Sequence, residues 1–134
     1  MPIGIATTDA RDTKAGKQAR GLSNYLTGLS AEDLVADHYV KAGCRVLHRR
    51  WRGRAGEIDL ILEGPEGLIF VEVKKGPDHA RAAGHLTARQ IGRVCASAED
   101  YTGQFPQYAF AALRIDAALV DDLGRIDLLE NISL

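Results

Sequence analysis

Cysteine is scarce in this chain: Cys44 and Cys95 are the only two in 134 residues, and neither has a Cys-x-x-Cys neighbour. That argues against a disulfide-stapled scaffold and against a structural zinc site. Each thiol reads as a small buried apolar residue, and two thiols without a framework suit a reducing compartment. Histidine is thin as well, with His38, His48, His79 and His85 showing no paired metal spacing. No apolar run approaches the roughly 20 residues needed to span a bilayer. The start, Met1-Pro2-Ile3-Gly4-Ile5-Ala6-Thr7-Thr8, lacks the basic lead and apolar core of a signal peptide. The expectation is a soluble cytoplasmic protein without a membrane partner. No internal repeat or low-complexity tract is present, and no P-loop or dinucleotide fingerprint, so Gly53, Gly56, Gly64 and Gly67 read as turn and bend residues. Net charge is nearly absent too, at −1.

What is present fits one domain, long enough to bury about two-thirds of its unfolded surface. The near-zero net charge hides an asymmetry. Residues 1–54 hold ten Lys or Arg against five Asp or Glu, and residues 55–134 hold seven against thirteen. Residues 1–22, with Arg11, Lys14, Lys17 and Arg20, read as a flexible basic arm, and residues 23–134 as the domain. A second basic run, Arg45, Arg49, Arg50, Arg52 and Arg54, is a candidate for phosphate contacts, against the plainer reading of a solvated loop.

Ser30 is a plausible N-cap for a first helix with Glu32 and Asp33 in its first turn, a buried stripe of Leu34, Val35, His38 and Tyr39, and Gly43 as C-terminal cap. Three strands are predicted next, over 44–51, 57–62 and 68–74, the last two joined by the turn Gly64-Pro65-Glu66-Gly67. A loop runs from Gly76 to about Gly84. Thr87 caps a second helix through Ile91, Val94, Cys95 and Ala98 to about Tyr101. A fourth strand spans 110–120, and a fifth 125–129 after the turn Asp121-Asp122-Leu123-Gly124. The order αβββαββ gives an α/β (α+β) class, with helices packed on a central mixed sheet of about five strands.

Glu72 and Lys74 are two residues apart in the third strand, so they leave one face while Ile69, Val71 and Val73 leave the other. A carboxylate and an ammonium on a covered face cost several kcal/mol unless they are satisfied. The hairpin brings Asp59 alongside, with Glu57 on its face and Ile58, Leu60 and Leu62 turned to the core. Hard divalent cations such as Mg²⁺ or Mn²⁺ prefer such oxygens. A metal held by Asp59, Glu72 and the carbonyl of Val73 binds a scissile phosphate and generates hydroxide. Lys74 then orients the water or stabilises the transition state. Glu32 supplies a further ligand or a general base. An edge-strand salt bridge between Glu72 and Lys74 is the plainer alternative. Trp51 is open to two uses, stacking on a base or covering the sheet, and His79 and His85 fall where a phosphate contact is conceivable.

The blocks Gly28-x-x-Ala31-Glu32-x-Leu34-x-Ala36, Arg50-Trp51-Arg52, Gly56-Glu57-Ile58-Asp59-Leu60-Ile61, Phe70-Val71-Glu72-Val73-Lys74 and Arg114-Ile115-Asp116 resemble those of the YraN-like family of small bacterial proteins, described as endonucleases. The resemblance runs from about Gly28 to Ile132. It implies a PD-(D/E)XK, restriction-endonuclease-like fold similar to archaeal Holliday-junction resolvases. It carries the active-site roles onto Glu32, Asp59, Glu72 and Lys74, and gives Glu57 a structural or substrate-side role. Lys75-Gly76 stands where the family more often has Thr-Arg, and Gln90 where a helix lysine is usual. Gln90 is therefore either a phosphate or base contact or an exposed helix residue, and Lys75 joins the candidate nucleic-acid contacts. The expected activity is Mg²⁺- or Mn²⁺-dependent hydrolysis of DNA, branched DNA included. The rivals are a non-catalytic nucleic-acid-binding protein on the same fold and an interaction module using the acidic half. The resolvase analogy adds a homodimer, with residues 109–113 as its interface.

Overall fold

The computed structural model describes residues 30–132. The basic arm assigned to residues 1–22 and the first residues of the assigned domain lie outside them. Helix α1 (Ala31–Lys41) starts as its sequence dictates: Ser30 Oγ accepts the Asp33 N–H at 3.0 Å, and the Asp33 carboxylate accepts the Ser30 N–H at 3.3 Å. Leu34, Val35, Ala36 and Tyr39 are its buried face. His38, expected in that stripe, is exposed, and Ala36 takes the place beside Val35.

Strands β1 (Arg45–Arg52), β2 (Glu57–Glu63) and β3 (Gly67–Lys75) form an antiparallel meander. The segment from Gly76 to Gly84, expected as a loop, contains a short helix α2 (His79–Gly84), capped by Asp78 accepting the Arg81 N–H at 2.8 Å. Its Ala82 backbone sits so close to Gly76 that a Cβ there would come within 2.7 Å of the Ala82 nitrogen. Helix α3 (Ala88–Gln104) begins at Thr87 as expected and runs one turn beyond Tyr101. A 3₁₀ turn (Pro106–Tyr108) leads to β4 (Ala112–Val120), and β5 (Ile126–Leu129) closes the fold. Phe110, expected to open the fourth strand, lies in the preceding turn with its side chain fully exposed.

The five strands stand in sequence order, with β3 and β4 parallel and every other pairing antiparallel. The class is thus the mixed-sheet α/β architecture expected from the element order, with one more short helix. Both faces are covered, which explains why β2 and β3 read as nearly continuous apolar runs. On one side α1 meets Leu60, Leu62, Ile69, Val71, Ala118 and Val120. On the other, α3 lays Val94, Ala98 and Tyr101 against Ile61, Leu68, Phe70 and Ile115. Ile58, expected to share the face of Leu60, packs instead in the α3 cluster, where β2 is no longer paired with β3.

Candidate active site

The β2–β3 ladder ends at Leu60 and Val71. On its other edge β3 stays paired, Glu72 opposite Ala117 and Lys74 opposite Leu119 of β4. The strands therefore part on the β2 side where the polar residues begin. Asp59 bridges the gap with its side chain, and its Oδ2 accepts the Val73 N–H at 2.7 Å. That bond replaces the missing ladder contact and fixes the carboxylate beside β3.

Glu72 is half-buried at the same point, and its carboxyl is pushed up to about 8. Burial is the largest cause, followed by the hydrogen bond and charge of Asp59 alongside; Lys74 and Arg93 act in the opposite sense. Asp59, Glu72 and Lys74 are thus brought together as the sequence suggested. Two carboxylates crowded in a partly dry cleft, one of them holding its proton near neutrality, are a hard-oxygen donor set short of positive charge. Among the described residues no group of three or more His, Cys, Asp or Glu side chains is arranged to hold a metal. The oxygen donors the cleft would offer a hard ion such as Mg²⁺ or Mn²⁺ are the carboxylates of Asp59 and Glu72 and the Val73 carbonyl, which would leave water to complete the shell, as is usual for Mg²⁺.

Glu32 is not free. Its Oε1 accepts from Arg50 Nε at 2.8 Å, and Arg50 also lies in the fields of Glu57 and Asp59. Three other arginines of the basic run are similarly occupied. Arg45 pairs with Glu63, Arg49 Nη1 donates to Asp33 at 2.6 Å, and Arg52 lies 3.6 Å from Glu57. Arg54 uses its backbone N–H to hold Asp100 at 2.8 Å. Lys75 is exposed at the end of β3, on the opposite face from Lys74. Gln90 works locally: its Oε1 accepts the Thr87 N–H at 3.4 Å while Thr87 Oγ1 accepts the Gln90 N–H at 3.1 Å. That makes the glutamine half of a capping box, a use visible in the Thr-x-x-Gln spacing.

Arg93, which the sequence reading passed over, is a cation acting on Glu72. It lies one turn before Ser97, whose Oγ donates to the Gly56 carbonyl at 3.2 Å at the entry to β2. Its local spacing does not mark it: Arg93 is an exposed cation on α3 beside the core residue Val94, and only the packing of α3 on the sheet sets it near Glu72.

Trp51, His48, His79 and Arg114 have structural partners, while His85 is exposed at the end of α2. Trp51 meets Tyr101 edge-on at 5.2 Å, and His48 meets Tyr101 and Phe105 at 5.3 and 5.4 Å. His79 Nε2 lies 2.9 Å from the Arg125 carbonyl. Arg114 and Asp116 form a bidentate pair with both contacts at 2.9 Å, and Asp116 also accepts from Tyr39 Oη at 2.7 Å and Asn131 N at 3.0 Å. A cavity of about 500 Å³ at the far end of β3 includes Tyr39, Gly67 and Arg114 but none of the carboxylate cluster. No helix among the described residues is long and apolar enough to cross a membrane.

A model of the family described as "Uncharacterised protein family UPF0102" matches residues 31–128. A UPF0102 protein of Ruegeria pomeroyi is 44% identical over 113 residues, covering 84% of this chain and 92% of its own. One from Cereibacter sphaeroides is 44% identical over 111 residues, covering 83% and 95%. One from Dinoroseobacter shibae is 37% identical over 134 residues, the full length of both.

Proposed function

The chain belongs to the family UPF0102, and from that premise we propose that it is a metal-dependent endonuclease of the PD-(D/E)XK type, hydrolysing DNA phosphodiester bonds. The observation that carries this reading is the parting of β2 and β3 around Asp59, Glu72 and Lys74. Asp59 is fixed by the Val73 N–H, and Glu72 holds a proton because it is buried and because a second carboxylate, Asp59, stands beside it. A purely structural Glu72–Lys74 pair accounts for neither feature.

Asp59, Glu72 and the Val73 carbonyl would hold a divalent ion, which supplies Lewis-acid stabilisation of the phosphoryl oxygens and an activated water. The protein's own groups do the rest. Asp59, tied to β3 by the Val73 N–H, keeps its carboxylate beside Glu72. Glu72 releases its proton when positive charge enters. Lys74, on the same face two residues on, orients the attacking water and stabilises the developing negative charge. Mg²⁺ and Mn²⁺ are the proposed cofactors, and branched or junction DNA the substrate class to which the resemblance points. A homodimer would deliver paired cuts.

The test is cleavage of labelled single-stranded, duplex, flap and four-way-junction DNA with Mg²⁺, Mn²⁺ or EDTA. Metal-dependent cutting by the wild type is expected, with Asp59→Ala and Lys74→Ala each reducing it on the order of 100-fold or more. DNA binding without cutting, unaltered in either variant, would sink the proposal.

A further inference from the structure

Among the described residues outside glycine, only Arg50 and Asn131 have a positive φ, at 51° and 53°. Asparagine tolerates that region because its short side chain hydrogen-bonds locally, whereas arginine has no such compensation. Strain of this kind persists where the surroundings hold it. Around Arg50 they do. Arg49 pairs with Leu60 and Trp51 with Ile58, while Arg50 opposite Asp59 is left out of the register. The left-handed turn takes the Arg50 side chain to Glu32 on α1, with Nε and Oε1 2.8 Å apart, and into the fields of Glu57 and Asp59. The side chain is nonetheless 65% exposed, whereas Glu32 is 20% exposed. The guanidinium therefore sits at the solvent side, bound to Glu32 and within the field of Asp59.

We propose that Arg50 is a built-in counter-ion of the candidate metal site, keeping Glu32 from a divalent ion until metal and substrate phosphodiester together displace it, whereupon the guanidinium passes to the phosphate. The inference rests on the metal-dependent reading of the cluster. The exchange is chemically even: a guanidinium gives up one carboxylate oxygen for a phosphate oxygen, and the freed carboxylate receives the cation in its place. Linkage then requires metal and DNA each to strengthen the binding of the other.

The test is calorimetric titration of the full chain with Mn²⁺ alone. Arg50→Asn suits the positive φ, so the variant is expected to fold. It should bind Mn²⁺ on the order of 5–10-fold more tightly than the wild type, and adding Glu32→Gln should remove that gain. Equal or weaker binding by Arg50→Asn, or a gain that survives Glu32→Gln, would overturn the counter-ion role while leaving a metal site intact. No Mn²⁺ binding by the wild type would overturn the metal-dependent reading along with it. A second arm measures binding of a short duplex oligonucleotide in a Lys74→Ala background. There, Arg50→Asn should weaken binding in saturating Mn²⁺ and leave it unchanged in EDTA. An equal effect in both refutes the transfer to phosphate.

Discussion

Glu72 is the residue whose chemistry is most displaced by its surroundings. With its carboxyl raised to about 8 by burial and by Asp59, the metal-free folded chain keeps a proton that the unfolded chain has already lost. Between the unfolded value near 4.5 and the folded value near 8 the folded state binds more protons. Stability attributable to this group is therefore greatest below that window and falls as pH rises through it. Glu72→Gln removes the dependence. Its metal-free stability at pH 8 should exceed the wild type's by about 1–2 kcal/mol, a figure well below the raw shift because the side chain is partly open to screening water. Denaturant titrations at pH 5 and pH 8 check this, and a wild type equally stable at both would show that the pair is not strained. A divalent ion reverses the sign of the environment, so Mn²⁺ should raise the melting temperature of the wild type and not that of Glu72→Gln.

At the scale of elements, one hydrogen bond fastens a helix to the sheet far along the chain. Tyr39 Oη on α1 reaches buried Asp116 on β4 at 2.7 Å, and burial with that carboxylate raises the phenol well above its ordinary value. Asp116 keeps Arg114 and the Asn131 N–H when the hydroxyl is lost. Tyr39→Phe should therefore cost about 1.5–3 kcal/mol, the range for a hydrogen bond to a charged group, and denaturant unfolding measures it. Asp116→Ala should cost about 1–3 kcal/mol, because the buried Tyr39 hydroxyl loses its acceptor while Arg114 keeps Glu130 at 3.3 Å. That tie could not be read from spacing, since it joins residues 39 and 116 through the packing of α1 on the sheet. Elements whose signals are local were legible: the Ser30 cap, the β2–β3 hairpin with its turn and the Thr87 start of α3 follow from neighbours in sequence, and the mixed sheet from the order of the elements. Helix α2 was hidden because Gly76-Pro77-Asp78 reads as a loop and only Ala82 of its six residues is buried. Phe110 misled in the opposite sense, extending an apolar run backward past the turn after Tyr108. At the site, period-two alternation placed Glu72 beside Lys74 and the hairpin added Asp59. Nothing in that pattern says that Glu32 is held by Arg50 or that Arg93 overlooks Glu72.

Taken across the whole molecule, the basic run that dominates the sequence is not the surface with charge to spare. Arg45, Arg49, Arg50 and Arg52 each have a carboxylate partner, so the positive excess along β1 is largely cancelled once the chain folds. Lys74, Lys75, Arg89 and Arg93 form no ion pair with any described side chain, and Lys74 and Arg93 act on the carboxylate cleft directly. A polyanion approaching that cleft meets free charge at the end of β3 and the start of α3, whereas along β1 it must first compete with internal carboxylates. Each unpaired cation that contacts a phosphate releases counterions and steepens the fall of affinity with salt, whereas a cation already neutralised adds little. Arg93→Gln should thus weaken DNA binding at every sequence and lower the slope of log K against log salt by about 1. Arg45→Gln, which frees Glu63 as it removes a cation, should change the slope by much less. Fluorescence anisotropy over a salt series in EDTA measures both without cleavage. Equal loss from the two substitutions would return the binding face to β1; a loss confined to Arg93→Gln would place the DNA backbone over the carboxylate cleft, where the proposed hydrolysis needs it.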